Sequence, residues 1–280
     1  LSCPYKALTT DLFLNVYSIG LVLILLLSTV AFGCAQAPAA TPTSGPSKGA
    51  SAGPGDASKA APAAKTADQP QYGGTLKILH GMTATSVGFP PEMLSGHETV
   101  FARPAIESLL TLDAQENPAP WLAESFQTSP DGKAVTLAIR KGVKFHDGTD
   151  LNAEAVKWNL DQFKASPRPM LQGVDSIDVV DPYTVRLNLP QYDAGLFYNL
   201  AHQAGMIVSP TAAKEKGKDW AKNNPVGTGP FKFVSWQRDV SLKFAKNPDY
   251  WQKGKPYLDA IEIVFIADPN TQAAAFQAGD

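Results

Sequence analysis

Cysteine is nearly absent from this chain. Only Cys3 and Cys34 occur among 280 residues, and residues 72–280 contain none. A body without thiols can build neither a disulfide framework nor a cysteine zinc site. Its stability must come from an apolar core, for which a hydrophobic content of 44% is sufficient. An excess of one charge is also missing. Lys and Arg number 24 and Asp and Glu 26, a formal net charge of −2, which excludes the strongly basic footprint of a nucleic-acid binder. The third absence is local: residues 35–71 contain no Leu, Ile, Val, Met, Phe, Tyr or Trp. Such a stretch cannot bury enough surface to offset the entropy of ordering it, which predicts a disordered tether rich in Ala, Pro, Gly and Ser over 34–71. As a coil its mean span is roughly 35 Å.

The segment before Cys34 has the opposite composition. Residues 18–33 are uncharged and mostly apolar. An apolar export segment, a small residue, a cysteine and then a tether resemble a bacterial lipoprotein signal. That reading makes residues 1–33 a signal peptide and Cys34 the acylated first residue of the mature protein. Phe32 departs from the usual pattern, and the chain starts with Leu1 rather than Met. About 18 apolar residues can also just span a bilayer as an anchor. Both readings place the body outside the cytoplasm.

In the body, Thr75–Leu79 reads as a short strand and 81–97 as a long loop. Ile106 and Leu110, four apart with Leu109 beside them, predict a helix over Phe101–Leu110, with Pro104 in its first turn. Val135–Arg140 alternates as a strand. Asn152 can cap a helix to about Lys164 that carries Val156, Leu160 and Phe163 on one face. Strands follow over Ile177–Val180 and Thr184–Leu189, and helices over Ala194–His202 and Pro210–Lys216. Further strands are expected over Phe231–Trp236, Val240–Lys246 and Ala260–Ile266, then a last helix capped by Asn270 or Thr271. Strands and helices interleave without a regular βαβ rhythm, so the expected class is α/β with an antiparallel insert.

Side chains that invite a chemical role have simpler readings. His146-Asp147-Gly148 reads as a turn, with Gly148 at positive φ and Asp147 bonding nearby backbone. Gly227-Thr228-Gly229 lacks the Lys and helix of a phosphate loop and precedes Pro230, so it reads as a tight turn. His80, His97 and His202 have no metal-ligand spacing, and no metal or cofactor is expected. Ser108, Ser125 and Ser129 lack a nucleophile elbow, and no catalytic residue is assigned. Trp236, Tyr250 and Trp251 read first as core or seam. The loop after the first strand is different, because ligands of open α/β sheets bind beyond the carboxyl ends of strands. Its small and hydroxyl residues would let a ligand approach backbone N–H groups, and Phe89 offers an apolar wall. Thr83, Thr85, Ser86, Phe89 and Trp236 are the candidate ligand-binding residues.

Four segments then carry a family resemblance. They are Gly73–Lys77; the run Pro120–Phe126, Ser129–Lys133, Val135–Ile139 and Arg140–Thr149; Pro225–Phe231; and Asn247–Trp251 with Gly254–Tyr257. In this order and spacing the chain resembles the extracytoplasmic solute-binding proteins of peptide and nickel ABC transporters, the dipeptide and oligopeptide binding group. The resemblance implies a periplasmic-binding-protein-like, two-lobed clam-shell that traps solute between its lobes. It also implies that 72–111 and 222–268 form the first lobe's α/β subdomain, 112–221 a β-rich inserted subdomain, and 269–280 the start of a second lobe. It further implies a chain that stops short of that lobe, a peptide or related small solute as ligand, and ABC permease subunits with their ATPases as partners. The rival readings are an exported hydrolase, which would need a nucleophile–base pair or a metal cluster, and a sensory protein presenting ligand to a receptor.

Overall fold

The structure is a computed structural model that describes residues 70–279. Cys34, the segment 1–33 and all but the last two residues of the expected tether lie outside them. Among the described residues no helix is long and apolar enough to cross a membrane.

In chain order the strands are β1 (Thr75–His80), β2 (Leu110–Leu112), β3 (Pro118–Pro120), β4 (Ala123–Thr128), β5 (Ala134–Ile139), β6 (Ser176–Asp181), β7 (Thr184–Asn188), β8 (Phe231–Gln237), β9 (Ser241–Lys246) and β10 (Ala260–Phe265). The helices are α1 (Glu98–Ala102), α2 (Ala153–Lys164), α3 (Gly195–Ala201), α4 (Pro210–Lys216), α5 (Lys218–Ala221) and α6 (Pro269–Ala278). The first sheet runs β1-β10-β9-β8 and the second β4-β5-β7-β6, with β2 and β3 as a separate pair. All strands of the second sheet thus lie, in sequence, between β1 and β8 of the first. β1 pairs parallel with β10, Thr75 opposite Ala260 through His80 opposite Phe265. That pairing requires a crossover, and everything between 81 and 259 serves as one.

The second sheet folds as its alternation dictates. Val135, Leu137 and Ile139 are buried and meet the buried Val185 and Leu187 of β7. α2 covers them. Asn152 caps it, Oδ1 accepting from the Ala155 N–H at 2.9 Å, and Val156, Leu160 and Phe163 point into the core. Around the first sheet, Phe231, Leu242, Phe244 and Ile263 pack on Phe89, Met93, Phe101 and Ile106 in a second core.

Two expectations are corrected. The helix expected over Phe101–Leu110 is α1, five residues ending at Ala102. Pro104 has no N–H to continue the hydrogen-bond ladder. Ile106, Leu109 and Leu110 are buried because their segment runs between the two cores rather than along a helix face: the Leu109 N–H donates to Gly205 O at 2.8 Å and the Phe231 N–H to Pro104 O at 3.0 Å. The last helix is capped by Asp268, whose Oδ1 accepts from the Thr271 N–H and Oγ1 at 2.8 and 2.7 Å, with Pro269 in its first turn. β4 has no counterpart among the expected strands, because most of its side chains are exposed and polar.

Candidate functional site

The parallel pair sets the geometry of the candidate site. The carboxyl ends of β1 and β10 lie side by side at His80 and Phe265. The 81–97 loop leaves from the first and α6 follows the second. Phe101 ties the two ends together, its ring 4.9 Å from His80 and 5.4 Å from Phe265, both edge-on. The His97 ring lies 4.9 Å from His80. His80 Nδ1 is held at the Met82 backbone, 3.1 Å from its nitrogen and 2.9 Å from its oxygen. Among the described residues no group of three His, Cys, Asp or Glu could hold a metal ion.

A buried carboxylate that sequence reasoning did not single out gives the loop its shape. Glu98, at the start of α1 and 4% exposed, accepts at Oε1 from the Thr85 N–H and Oγ1 at 2.6 and 2.7 Å. Its Oε2 accepts from the Leu94 N–H at 2.5 Å. In sequence Glu98 is indistinguishable from any acid in a helix's first turn. In the fold it closes the loop from both sides. Charged acceptors are worth about 1.5–3 kcal/mol per hydrogen bond. Glu98→Ala is therefore expected to destabilise by about 3 kcal/mol and to raise amide exchange over 82–96 well above that in α2. Unchanged exchange in the loop would contradict this role.

The expected site residues divide. Thr83 is exposed. Thr85 is exposed as a residue, but its N–H and hydroxyl are spent on Glu98. Ser86 is buried and donates to Lys222 O at 3.1 Å, the carbonyl that also takes the Val87 and Gly88 N–H groups at 2.9 Å each. Phe89 is 2% exposed and packs in the core with Trp158. Neither side chain is open to solvent, and Ser86 ties the loop to the end of α5. Met82 and Leu94 in the loop and Val100 in α1 are 58, 65 and 53% exposed. Trp236 is half-buried beneath the Arg238 guanidinium at 4.5 Å and borders a cavity of about 330 Å³. Arg238 donates to Asn223 Oδ1 at 2.9 Å and reaches Thr85 O at 3.4 Å, so Thr85 and Trp236 are brought together while Ser86 and Phe89 turn inward.

The residues read as structural behave so. Gly148 has φ +87°, and Asp147 Oδ1 accepts from the Thr149 N–H at 3.0 Å. His146 Nε2 lies 2.9 Å from Gly229 O, and burial pulls its pKa down, which keeps the ring neutral. Gly227 and Gly229 lie against the backbone of Pro104–Ile106, which leaves no cradle for a phosphate.

Comparison with known proteins agrees with this architecture. The curated glutathione-binding protein GsiB of Shigella flexneri is 38% identical over 185 residues, covering 64% of this chain and 36% of that one. Among solved structures, the ABC transporter-associated periplasmic binding protein DppA from Helicobacter pylori, in complex with peptide STSA, superposes with a TM-score of 0.66 at 29% identity, over 76% of this chain and 46% of its own. The oligopeptide-binding protein AppA from Bacillus subtilis, in complex with a nonapeptide, gives 0.66 at 30% identity over 76% and 44%. The binding protein AgaA from A. tumefaciens R10, in complex with agropinic acid, gives 0.67 at 32% over 74% and 43%. The chain thus spans less than half the length of each of these proteins. The family model for bacterial extracellular solute-binding proteins, family 5 (middle), matches residues 117–280, and the chain belongs to that family.

Proposed function

We propose that this chain contributes one jaw of an extracytoplasmic solute-binding protein, which captures a peptide or related small solute and delivers it to an ABC importer's permease. The carrying observation is the pinned loop at the carboxyl ends of β1 and β10, which ties Thr85 and Leu94 to Glu98 while Met82 and Leu94 of the loop and Val100 of α1 face outward. That face suits a ligand clasped from two sides. Thr83 and Arg238, whose guanidinium lies over Trp236, are the polar contacts the reading assigns to it. Binding would be non-enzymatic and would favour a closed state through the ligand's greater affinity for it. Transport energy would come from the partner ATPases.

The test is a thermal-shift panel of di- to pentapeptides, glutathione, nickel–histidine and oligosaccharides on the full-length protein. A bound solute at a hundredfold excess over its Kd stabilises by about 2.7 kcal/mol. A shift with peptides is expected. A shift with sugars alone would sink the peptide assignment, and hydrolysis of a bound peptide would sink the non-enzymatic reading. We further propose that Cys34 carries the lipid anchor that holds the body at the membrane. Two acyl chains are needed for stable attachment, so Cys34→Ser should move the protein from the detergent phase to the aqueous phase. Retention of Cys34→Ser in membranes would favour a spanning anchor.

A further inference from the structure

After Glu98, Glu107 is the least exposed carboxylate among the described residues. It is 7% exposed, and each oxygen takes two donors. Oε1 accepts from Trp121 Nε1 at 2.8 Å and from the Tyr250 hydroxyl at 2.6 Å. Oε2 accepts from Thr228 Oγ1 at 2.8 Å and Trp251 Nε1 at 2.9 Å. Indole N–H groups only donate, so one acceptor on each oxygen is obligatory, and the ionised carboxylate satisfies all four donors at once. The donors come from both halves of the fold: Trp121 precedes β4 of the second sheet, Thr228 precedes β8 and Tyr250-Trp251 follow β9 of the first. Burial pushes the Glu107 carboxyl above the ordinary Glu range, and the four hydrogen bonds oppose that push.

No Lys or Arg forms a salt bridge with Glu107 among the described residues. A cation nevertheless lies one ring away. Arg140, at the end of β5, places its guanidinium 4.7 Å from the Trp251 ring centroid and donates from Nε to Trp121 O at 3.1 Å. Trp121 and Trp251 pack edge to face at 5.5 Å. Arg140 therefore touches both tryptophans whose indole N–H groups hold Glu107. A cation over the ring face polarises the indole and strengthens its N–H as a donor. The other ionisable groups near the carboxylate do not replace it. Tyr250 is neutral, its pKa raised by burial and by Glu107 itself. His146, reached through Gly227 and Gly229, is held neutral by burial. Arg103, which lines the same cavity of about 190 Å³, is exposed and bonded to His202.

We infer that Arg140 is the counter-ion of Glu107, acting through the Trp251 ring and held over it by the Trp121 carbonyl, and that this aromatic-bridged pair locks the second sheet against the first. Arg140 is a positioning residue in this scheme, since it touches neither the carboxylate nor the ligand face.

The test follows the Glu107 titration by carbon-13 NMR of side-chain-labelled glutamate in the full-length protein, with Glu107→Gln to assign the signal. If that variant does not fold, Glu107 is assigned through-space from the Trp251 indole proton. A nearby positive charge favours the ionised form of a carboxyl. Arg140→Gln should raise the Glu107 pKa and move the Trp251 indole N–H upfield, and Arg140→Lys should restore most of both. A merely structural Arg140 would lower the melting temperature without moving the titration. An unchanged Glu107 pKa in a folded Arg140→Gln protein would overturn the inference.

Discussion

Replacing Glu107 with Ala is expected to cost about 3–5 kcal/mol of unfolding free energy, because four buried donors lose their common acceptor at once. Urea unfolding reads it directly as a fall in midpoint at constant slope. A loss below about 1 kcal/mol would mean that water enters and replaces the carboxylate. Glu107→Gln should also destabilise, since in either orientation its NH₂ faces one indole N–H that cannot turn to accept. The same residue sets a pH dependence. Its folded pKa is raised above the unfolded value. As pH rises between the two values, the unfolded chain has released its proton while the folded chain still holds it. Glu107 therefore makes stability fall with rising pH across that window and level off above the folded pKa. The Gln variant should lose this decline. A decline of the same size in both proteins would assign it to another group.

Gly227→Ala is expected to be as damaging for a steric reason. A Cβ there would lie 2.1 Å from Ala105 O and 2.8 Å from Ile106 Cα, both backbone atoms, and Gly227 does not use positive φ. The glycine is required for space alone, where the chain entering β8 passes under the segment leading to Glu107. Overpacking against backbone cannot relax through a rotamer change, so a loss of about 3 kcal/mol or more is expected, with insoluble expression as its practical sign. Gly142 is the control. It has φ +76° and open space where a Cβ would lie, with no atom within 4 Å, and Gly142→Ala should cost only about 1 kcal/mol. Equal losses at both positions would show that conformation rather than contact decides.

Local structure was legible wherever one short-range rule dominated. The Asn152 cap, the Val156–Leu160–Phe163 face, the alternation in β5 and the Asp147-Gly148 turn each depend on residues within a few positions of one another, and each forms as read. The helix expected around Ile106 failed because the same apolar spacing arises when an irregular segment is buried on several sides. β4 escaped notice because the alternation that marks a half-buried strand is lost among exposed side chains. Of the candidate site residues, Ser86 and Phe89 turn inward. A loop's composition does not say which of its side chains turn inward, and here the Lys222 carbonyl, 136 positions from Ser86, decides it.

The amino-acid order by itself determined the α/β class, the positions of most strands and helices, the body without thiols and, through its motifs, the family. The tertiary structure alone decided which polar groups matter. Glu98 and Glu107 look like ordinary acids in the sequence, without a neighbouring motif to mark them. They become the anchors of the loop and of the sheet boundary because the fold brings three donors from the preceding loop to Glu98 and four, most of them from distant segments, to Glu107. A buried carboxylate takes its energy from partners chosen by the fold, and partners up to 144 positions apart in the chain leave no pattern in the local sequence.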